Sequence, residues 1–329
     1  MKRVAILGAS GAVGREMMKI LEERDFPLAS LKLLTGSKSA GSRLRFKGEE
    51  LVAEEASEAA FAGCDIVLGA AQNPVAKRFA PAIREAGAVF VDNSSAFRLD
   101  PDVPLVVPEI NPEDAAKHKG IISNPNCSTI ITLVGVAGIG RLSPIESMIV
   151  STYQAASGAG QGGLEELDAQ VRAYAEGKDY PAKAFRYPLA FNLIPEIGSE
   201  AFEGYTTEEM KMQNEGRKIM HLPALTVSCT CVRVPVMRSH SISALIRTKE
   251  PVSVEAAREA VGKAPGCRLV DDLAQHSYPM PLDTSDQDLV YVGRIRKDLT
   301  AENGLALFIC GDQIRKGAAT NAVQIAELL

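Results

Sequence analysis

Residues 4–14 read Val4-Ala5-Ile6-Leu7-Gly8-Ala9-Ser10-Gly11-Ala12-Val13-Gly14, an apolar run followed by three regularly spaced glycines. The apolar run is typical of a buried strand, and helix formers with apolar residues at helical spacing follow it as far as Glu23. Glycines at a strand-to-helix junction allow close approach of a pyrophosphate, and the N–H groups at the start of the helix face the anion. This stretch therefore predicts a dinucleotide turn; a purely structural turn is the alternative.

Short apolar runs alternate with helical stretches from residue 1 to about residue 126. The predicted strands cover residues 4–7, 31–34, 65–69, 89–92, 105–107 and 121–123. Strands separated by crossover helices form parallel sheets with helices on both faces. We therefore predict an α/β fold whose N-terminal domain is a Rossmann-like, doubly wound parallel sheet.

The pattern changes after Cys127. A helix over residues 129–138 and a strand over 146–153 precede a polar helix near 163–177, and strand-like stretches at 225–234, 241–248 and 289–294 resemble an antiparallel sheet. The second domain is predicted to be α+β with a mostly antiparallel sheet that holds the substrate. Residues 317–329 are predicted to form a helix that returns to the first domain. The predicted boundaries are therefore 1–127 with 313–329 for the NADP-binding Rossmann domain, and 128–312 for the catalytic and dimerisation domain.

Composition excludes several classes of protein. A chain of 329 residues exceeds the usual size of one core, and a net charge of −5 without a basic tract argues against nucleic-acid binding. No window reaches the roughly 18 unbroken apolar residues of a membrane helix. The N-terminus enters a strand at once, so we expect a cytoplasmic protein. The six cysteines lack disulfide or zinc spacing, which leaves Cys229 and Cys231 as structural thiols and predicts no metal site.

One cysteine stands apart from the others. Residues 123–129 read Ser123-Asn124-Pro125-Asn126-Cys127-Ser128-Thr129, so Cys127 lies between an apolar strand and the start of a helix. The N–H groups and dipole of a helix N-terminus lower the pKa of a thiol and can bind a developing oxyanion. We interpret Cys127 as a nucleophile rather than as a packing residue.

A nucleophilic thiol calls for a histidine partner, and the chain offers four. His118 lies in a charged run, His221 follows a helical segment and His276 lies in a loop, whereas His240 stands at the entry to an apolar strand near two arginines. His240 is therefore the preferred partner, although a structural histidine at a strand edge is the alternative.

The loop after the second predicted strand indicates which dinucleotide binds. Residues 35–41 contain Lys38 and Ser39 and no carboxylate. Folds that select NAD place an acidic residue there to accept hydrogen bonds from the ribose 2′-hydroxyl. We therefore predict NADP, with a solvated loop as the alternative.

Taken together, these motifs resemble the aspartate-β-semialdehyde dehydrogenase family over nearly the whole chain. The resemblance rests on residues 8–14, 92–98, 123–129, 153–160, 191–195, 233–236, 240–241 and 315–319. It implies reversible, NADP-dependent and phosphate-requiring oxidation of L-aspartate 4-semialdehyde to L-4-aspartyl phosphate through a cysteine thioester. It also implies a place in lysine or diaminopimelate, threonine and methionine biosynthesis, and a homodimer or a dimer of dimers.

The resemblance also assigns roles to residues. It implies Cys127 as nucleophile, His240 as general acid/base and Gln154 as the group that orients the substrate. It implies that Arg98, Asn93 and Lys218 contact the phosphate, that Arg233 binds the α-carboxylate and that Glu215 pairs with the α-ammonium. The implied cofactor contacts are Gly8, Ser10, Gly11, Ala12, Val13, Lys38, Ser39, Gln72, Ser157, Gly158 and Asn321.

Departures from the family pattern are few. Lys38 replaces an arginine common in the 2′-phosphate loop, and Ser239 stands where relatives commonly carry glycine or cysteine. The nearest rival enzyme is an N-acetyl-γ-glutamyl-phosphate reductase, whose thiol is preceded by glycine, whereas Asn126 precedes Cys127 here. A catalytically silent nucleotide-binding homologue is the alternative from another class, and the presence of both Cys127 and His240 argues against it.

Overall fold

The computed structural model describes all 329 residues and divides them into two compact units. Unit 1 comprises Met1–Asn126 and Ala318–Leu329, and unit 2 comprises Cys127–Gly317. The division differs from the sequence-based boundaries at both ends, because Cys127 itself begins unit 2 and residues 313–317 remain within unit 2.

Sixteen strands and eight α-helices make up the chain. The strands are β1 (Lys2–Leu7), β2 (Leu28–Thr35), β3 (Arg43–Phe46), β4 (Glu49–Val52), β5 (Glu54–Glu55), β6 (Ile66–Gly69), β7 (Val89–Asp92), β8 (Ile121–Ser123), β9 (Ile145–Gln154), β10 (Glu200–Phe202), β11 (Tyr205–Thr206), β12 (Thr226–Arg233), β13 (His240–Thr248), β14 (Cys267–Leu269), β15 (Val290–Lys297) and β16 (Gly304–Gly311). The helices are α1 (Ala12–Glu23), α2 (Asn73–Glu85), α3 (Cys127–Leu142), α4 (Gln161–Ala175), α5 (Thr207–Ile219), α6 (Val254–Lys263), α7 (Pro281–Thr284) and α8 (Thr320–Glu327).

Unit 1 contains the predicted parallel sheet. Its six strands lie in the order β5-β2-β1-β6-β7-β8, and every pairing is parallel. The predicted strand at 105–107 is wrong, because this buried run makes only a single bridge, between Leu105 and Ser123. The sheet instead gains β5 as a short edge strand beside the end of β2, which the sequence did not suggest.

Strand β1 shows why this sheet is buried on both faces. Successive side chains of a strand point to opposite faces. Val4 and Ile6 pack in one apolar core with residues of α1 and α8, whereas Ala5 and Leu7 pack in a second core with residues of α2. The near-continuous apolar run at the N-terminus is thus the signature of a central strand covered by helices on each side.

Unit 2 is built on a second six-stranded sheet, in the order β12-β9-β13-β16-β15-β14. The three central pairings, β9 with β13, β13 with β16 and β15 with β16, are antiparallel. The outer strands differ from the prediction, since β12 pairs parallel with β9 and β14 pairs parallel with β15. The sheet is therefore mixed, with antiparallel pairs at its centre.

Helix α3 lies within the core of unit 2. Twelve consecutive residues from Ser128 to Ile139 are buried, so the helix is apolar on every side rather than along one stripe. It contacts α5, α6 and the strands β9, β13, β15 and β16. No helix of the chain has both the length and the apolar character needed to cross a bilayer.

Candidate active site

Several residues that the sequence analysis predicts for the active site lie at one end of the unit 2 sheet. Strand β12 ends at Arg233, opposite Gln154 at the end of the parallel strand β9. Strand β13 begins at His240 beside them, since its next residue, Ser241, pairs with Tyr153. The register of these strands therefore brings Arg233, Gln154 and His240 to the same end of the sheet.

The thiol of Cys127 lies at this end of the sheet because α3 begins there. Cys127 is the first residue of α3 and remains partly exposed, whereas the helix behind it is buried. Its Sγ lies 3.5 Å from His240 Nε2. A β-carbon on Gly317 would lie 2.9 Å from that of Cys127, so glycine allows the turn at the end of unit 2 to pass directly beside the nucleophile.

The environment of His240 keeps the imidazole neutral. The ring is completely buried, and its Nδ1 accepts a hydrogen bond from the Ala155 backbone N–H at 3.1 Å. Burial first, and then the positive charge of Arg233, lower the pKa of His240 from 6.5 to about 3, although Glu208 acts in the opposite direction.

Arg233 is fixed in place close to the histidine. Its Nη1 donates to the Ala155 carbonyl at 2.6 Å, its guanidinium lies 5.9 Å from the centre of the Phe185 ring, and the side chain is largely buried. Burial lowers the pKa of Arg233, whereas Cys127 and Glu208 raise it. A buried guanidinium held in this way offers a fixed fork for a carboxylate.

Three residues that the sequence analysis did not select, Glu208, Lys211 and Thr152, also lie at this site. Gln154 Nε2 donates to Glu208 Oε1 at 3.3 Å, and the other carboxylate oxygen of Glu208 pairs with Lys211 Nζ at 2.8 Å. Thr152 Oγ1 donates to Gln154 Oε1 at 3.0 Å, so the side-chain amide of Gln154 is held at both its nitrogen and its oxygen. Helix α5 thus supplies an anion that contacts Gln154 and a cation that pairs with this anion.

The predicted residues Glu215 and Lys218 lie farther along the same helix. They follow Glu208 and Lys211 by seven residues, which is about 10 Å along the axis. Glu215 is 1% exposed and lies within the unit 2 core. The roles of Glu215 and Lys218 stay predictions, and Glu208 is a further carboxylate, which accepts a hydrogen bond from the Gln154 amide. The shared Glu-x-x-Lys spacing was the signal that could have identified Glu208 and Lys211.

The loop after β9 forms the wall of the site. Gly158 follows Ser157 in a short 3₁₀ turn, and a β-carbon on Gly158 would lie 2.7 Å from Arg233 Nη1. Ser157 Oγ accepts a hydrogen bond from Gln313 Nε2, and Gln313 Oε1 accepts one from the Ser239 N–H at 2.9 Å. Ser239 has a φ of 74°, a left-handed conformation that glycine adopts without strain.

In unit 1, the glycine turn has the geometry expected of a phosphate cradle. Gly8 has a φ of 95°, and a β-carbon there would lie 2.6 Å from the Ala70 carbonyl oxygen. A β-carbon on Gly14 would lie 2.3 Å from the Gly8 oxygen, so neither position accepts a side chain. The first turn of α1 contains no acidic residue, and its N-cap Gly11 provides no side-chain cap. These residues fit a dinucleotide pyrophosphate.

A cavity of about 330 Å³ adjoins this turn within unit 1. Its lining includes Gly8, Ser37, Glu55 and Arg78. Lys38 and Ser39 lie in the 3₁₀ turn that follows β2, and Gln72 is the N-cap of α2. The end of β2 carries no acid, as predicted, but β5 places Glu55 directly beside Thr35. The cavity therefore contains both a carboxylate and a guanidinium.

Three further predicted residues belong to a hydrogen-bonded chain in unit 1. Arg98 donates to the Asn93 carbonyl at 2.7 Å, and Asn93 accepts a second bond from Asn124 at its side-chain oxygen. Asn321 is completely buried and donates both to Asn124 and to the Val106 carbonyl. These bonds tie α8 to the segments that carry Val106 and Asn124, and the role of Asn321 as a cofactor contact stays a prediction.

The remaining cysteines have environments that suit unreactive thiols. Burial raises the pKa of Cys64 and of Cys310. Cys229 and Cys231 are buried with their sulfurs 3.7 Å apart, and this contact together with burial raises the pKa of Cys229. Cys267 donates to the Val134 carbonyl. None of these thiols begins a helix as Cys127 does.

Comparison with known proteins gives a consistent result over both units. The family model for the semialdehyde dehydrogenase NAD binding domain matches residues 3–118, and that for the semialdehyde dehydrogenase dimerisation domain matches residues 137–316. An aspartate-semialdehyde dehydrogenase from Synechocystis is 53% identical over 327 residues, which cover 99% of this chain and 97% of that protein. One from Bacillus subtilis is 46% identical, with 99% and 96% covered.

A solved structure agrees with these relatives. Aspartate semialdehyde dehydrogenase II from Vibrio cholerae, complexed with ASA, has a TM-score of 0.97 and 41% identity, and the match covers 100% of this chain and 98% of that one. With the thiol, the histidine and the glycine turn in place, this chain belongs to the aspartate-semialdehyde dehydrogenase family.

Proposed function

We propose that this protein catalyses the reversible, phosphate-dependent interconversion of L-aspartate 4-semialdehyde and L-4-aspartyl phosphate, with NADP as cofactor. The observation that carries the proposal is the thiol of Cys127 at the start of α3, 3.5 Å from His240 Nε2. Arg233 and Gln154 lie at the same sheet end. Family membership places this step in amino-acid biosynthesis, and we propose the branch to lysine or diaminopimelate, threonine and methionine.

Cys127 acts as the nucleophile. In the biosynthetic direction its thiolate attacks the acyl phosphate, forms a C–S bond and releases phosphate, which leaves a thioester. The N-terminus of α3 favours the thiolate, and His240 stands beside the sulfur where the acyl oxygen develops charge. When bound, the nicotinamide supplies or accepts the hydride.

Substrate recognition divides among charged groups. Arg233 binds the α-carboxylate with its fixed guanidinium, and Gln154 orients the side chain of the substrate without titrating. Glu215 for the α-ammonium and Lys218 for the phosphate remain proposals from family resemblance. Glu208, which accepts a hydrogen bond from Gln154, is a second candidate for the α-ammonium. Arg98 and Asn93 remain proposals for the phosphate from family resemblance.

The proposed cofactor is NADP. The backbone of the glycine turn from Gly8 to Val13 holds the pyrophosphate, and the cavity beside Thr35 receives the adenosine end. Lys38, Ser39 and Arg78 supply the cation and hydroxyls for a 2′-phosphate. Gln72, Ser157 and Gly158 remain proposed contacts.

A direct assay tests the proposal. The purified protein is incubated with aspartate semialdehyde, phosphate or arsenate, and NADP, and the absorbance of the reduced cofactor is followed. We expect reduction that depends on phosphate or arsenate. Activity on N-acetylglutamyl semialdehyde alone would favour the rival reductase, and a folded protein inactive on both substrates would favour the silent homologue.

We also propose a homodimer formed through the open face of the unit 2 sheet. Ile149 is 54% exposed in the central strand β9, and Tyr153 of the same strand packs 6.4 Å from the Phe308 ring. This face lies within the region matched by the dimerisation-domain family. Ile149→Glu should shift sedimentation from dimer toward monomer, and an unchanged dimer would place the interface elsewhere.

A further inference from the structure

A long loop of unit 2 contacts Arg233 at two places. Residues 176–199, which join α4 to β10 (the α4–β10 loop), form no helix and no strand apart from a single bridge. At this bridge the Ile194 N–H donates to the Arg233 carbonyl at 3.0 Å, and the Arg233 N–H donates to the Ile194 carbonyl at 2.8 Å. The Phe185 ring lies 5.9 Å from the Arg233 guanidinium. Loops of this length inside a compact domain commonly serve a function.

Two buried side chains of α4 hold the α4–β10 loop by its backbone. Glu166 and Gln170 lie one helical turn apart, and both are buried. Their oxygens accept hydrogen bonds from five backbone N–H groups of the loop. The donors are Lys183, Ala184 and Phe185 for Glu166, and Leu189 and Ala190 for Gln170.

This bonding pattern requires one carboxylate and one amide. Backbone N–H groups only donate, so an oxygen of Glu166 must face residues 183–184 and an oxygen of Gln170 must face residues 189–190. Between the two side chains, Gln170 Nε2 donates to the other Glu166 oxygen at 3.1 Å. Two glutamines would supply one oxygen fewer and one NH₂ group more. However their amides turned, one nitrogen would then face another donor.

The two ends of the held segment differ in what else fixes them. Leu189 and Ile194 are buried in an apolar cluster with Leu167 of α4. Phe185 is only half-buried at the edge of this cluster, and residues 183–184 are exposed. Loss of the carboxylate should therefore release residues 183–185 while the apolar contacts keep the rest of the loop attached.

We propose that Glu166 is a positioning residue for the α-carboxylate site. It fixes residues 183–185 so that the Phe185 ring stays over Arg233, where the ring supplies a cation–π contact and keeps water from the guanidinium. A cation shielded from water binds a carboxylate more strongly than an exposed one. The inference rests on the proposed function, in which Arg233 binds the α-carboxylate. Glu166 acts through Phe185 and Arg233 and not by contact with the substrate.

Tryptophan fluorescence tests the positioning step without substrate. The chain contains no tryptophan, so Phe185→Trp in the full chain introduces a single emitter beside Arg233. In this background Glu166→Gln should shift the emission to longer wavelength and increase quenching by acrylamide, because the indole becomes exposed. Glu165→Gln, at the exposed neighbouring position of α4, is the control and should change neither. Emission and quenching unaltered by Glu166→Gln would overturn the role of Glu166.

Steady-state kinetics with the native Phe185 test the consequence for the substrate. A buried donor without a partner shifts a local equilibrium by about one to two powers of ten, so Glu166→Gln should raise KM for aspartate semialdehyde about tenfold or more. The value of kcat should stay close to that of the wild type, because the α-carboxylate is bound in both the ground state and the transition state. A loss of folded protein would instead lower kcat at an unchanged KM. Phe185→Leu, a change at a half-buried loop position, should raise KM in the same way, and an unchanged KM there would overturn the proposal.

Exchange of the two side chains provides a rescue. In Glu166→Gln/Gln170→Glu, the amide oxygen at position 166 faces residues 183–184, its NH₂ group donates to the carboxylate at position 170, and only the 3.4 Å bond from the Phe185 N–H is lost. The exchange should recover most of the rise in KM and most of the change in emission. A double variant no better than Glu166→Gln would contradict the bonding argument. Wild-type protein inactive on aspartate semialdehyde would contradict the proposed function alone, and fluorescence would still decide the role of Glu166.

Discussion

Gly158→Ala probes how tightly the site is built. The added methyl carbon would lie 2.7 Å from Arg233 Nη1 and 3.1 Å from His240 Cε1. Since ordinary contact begins at 3.4 Å, the guanidinium must retreat by 3.4 − 2.7, or about 0.7 Å. The same nitrogen donates to the Ala155 carbonyl at 2.6 Å, so the retreat costs Arg233 its anchor.

The expected loss is in activity rather than in stability. A misplacement of about 1 Å in a positioning group can cost on the order of 10²-fold in rate, and we expect a fall of that size in kcat/KM for aspartate semialdehyde. Gly158 does not have a positive φ, so alanine adds no backbone strain, and replacing a glycine restricts the unfolded chain. The unfolding midpoint should therefore stay close to that of the wild type.

Gly162→Ala is the matched control. It lies four residues away in α4, where the nearest atom to the new methyl group is Ala184 Cβ at 4.0 Å. Activity should be unchanged, and stability should rise by up to about 1 kcal/mol because alanine favours the helix. Steady-state kinetics and thermal unfolding of both variants decide the matter. Wild-type kcat/KM in folded Gly158→Ala would refute the proposed placement of Arg233 and His240.

Four further outcomes follow from the site. Cys127→Ala should abolish turnover with an unchanged NADP dissociation constant in fluorescence titration; retained turnover would exclude the thioester. Of Glu208→Gln and Glu215→Gln, the variant that neutralises the partner of the α-ammonium should raise KM for the semialdehyde about tenfold or more, given ~1.5–3 kcal/mol for a hydrogen bond to a charged group; an unchanged KM in both variants would remove this role from α5. Arg78→Ala should weaken calorimetric binding of 2′,5′-ADP more than that of 5′-AMP, and equal losses would remove it from the 2′-phosphate site. The pKa of His240 is lowered to about 3 in the folded protein, so on acidification the unfolded chain takes up this proton first. The free energy of unfolding should therefore fall as the pH drops from about 6.5 toward 3. The fall should be less steep in His240→Gln, and an equally steep fall would contradict the shifted pKa.

Local chemistry made much of the fold and the reactive pair predictable. The glycine turn needs no tertiary information, since its glycines are required by contacts within the turn and with Ala70. Cys127 was identifiable because a polar, proline-containing segment interrupts two apolar ones. The strand predicted at residues 105–107 was wrong because an apolar segment can be buried without forming a ladder of hydrogen bonds. In this run only Leu105 pairs with another strand.

The choice between Glu208 and Glu215 could not be made from sequence. Seven residues nearly complete two helical turns, so both carboxylates lie on almost the same face of α5 and each has a lysine three residues later. What separates them is which turn of the helix reaches Gln154, and that depends on tertiary packing. The position of Glu55 could not be predicted for a similar reason. Glu55 lies beside Thr35 through strand pairing, and about 20 residues of chain separate the two.

The enclosure of α3 determines how this enzyme should lose activity on heating. A helix surrounded by apolar contacts on all sides cannot fray or rotate without opening the interior around it. Its first residue is the proposed nucleophile Cys127, so the sulfur should keep its position until unit 2 melts as a whole. The midpoint temperature of inactivation should then equal that of the loss of secondary structure, and no folded but inactive intermediate should accumulate.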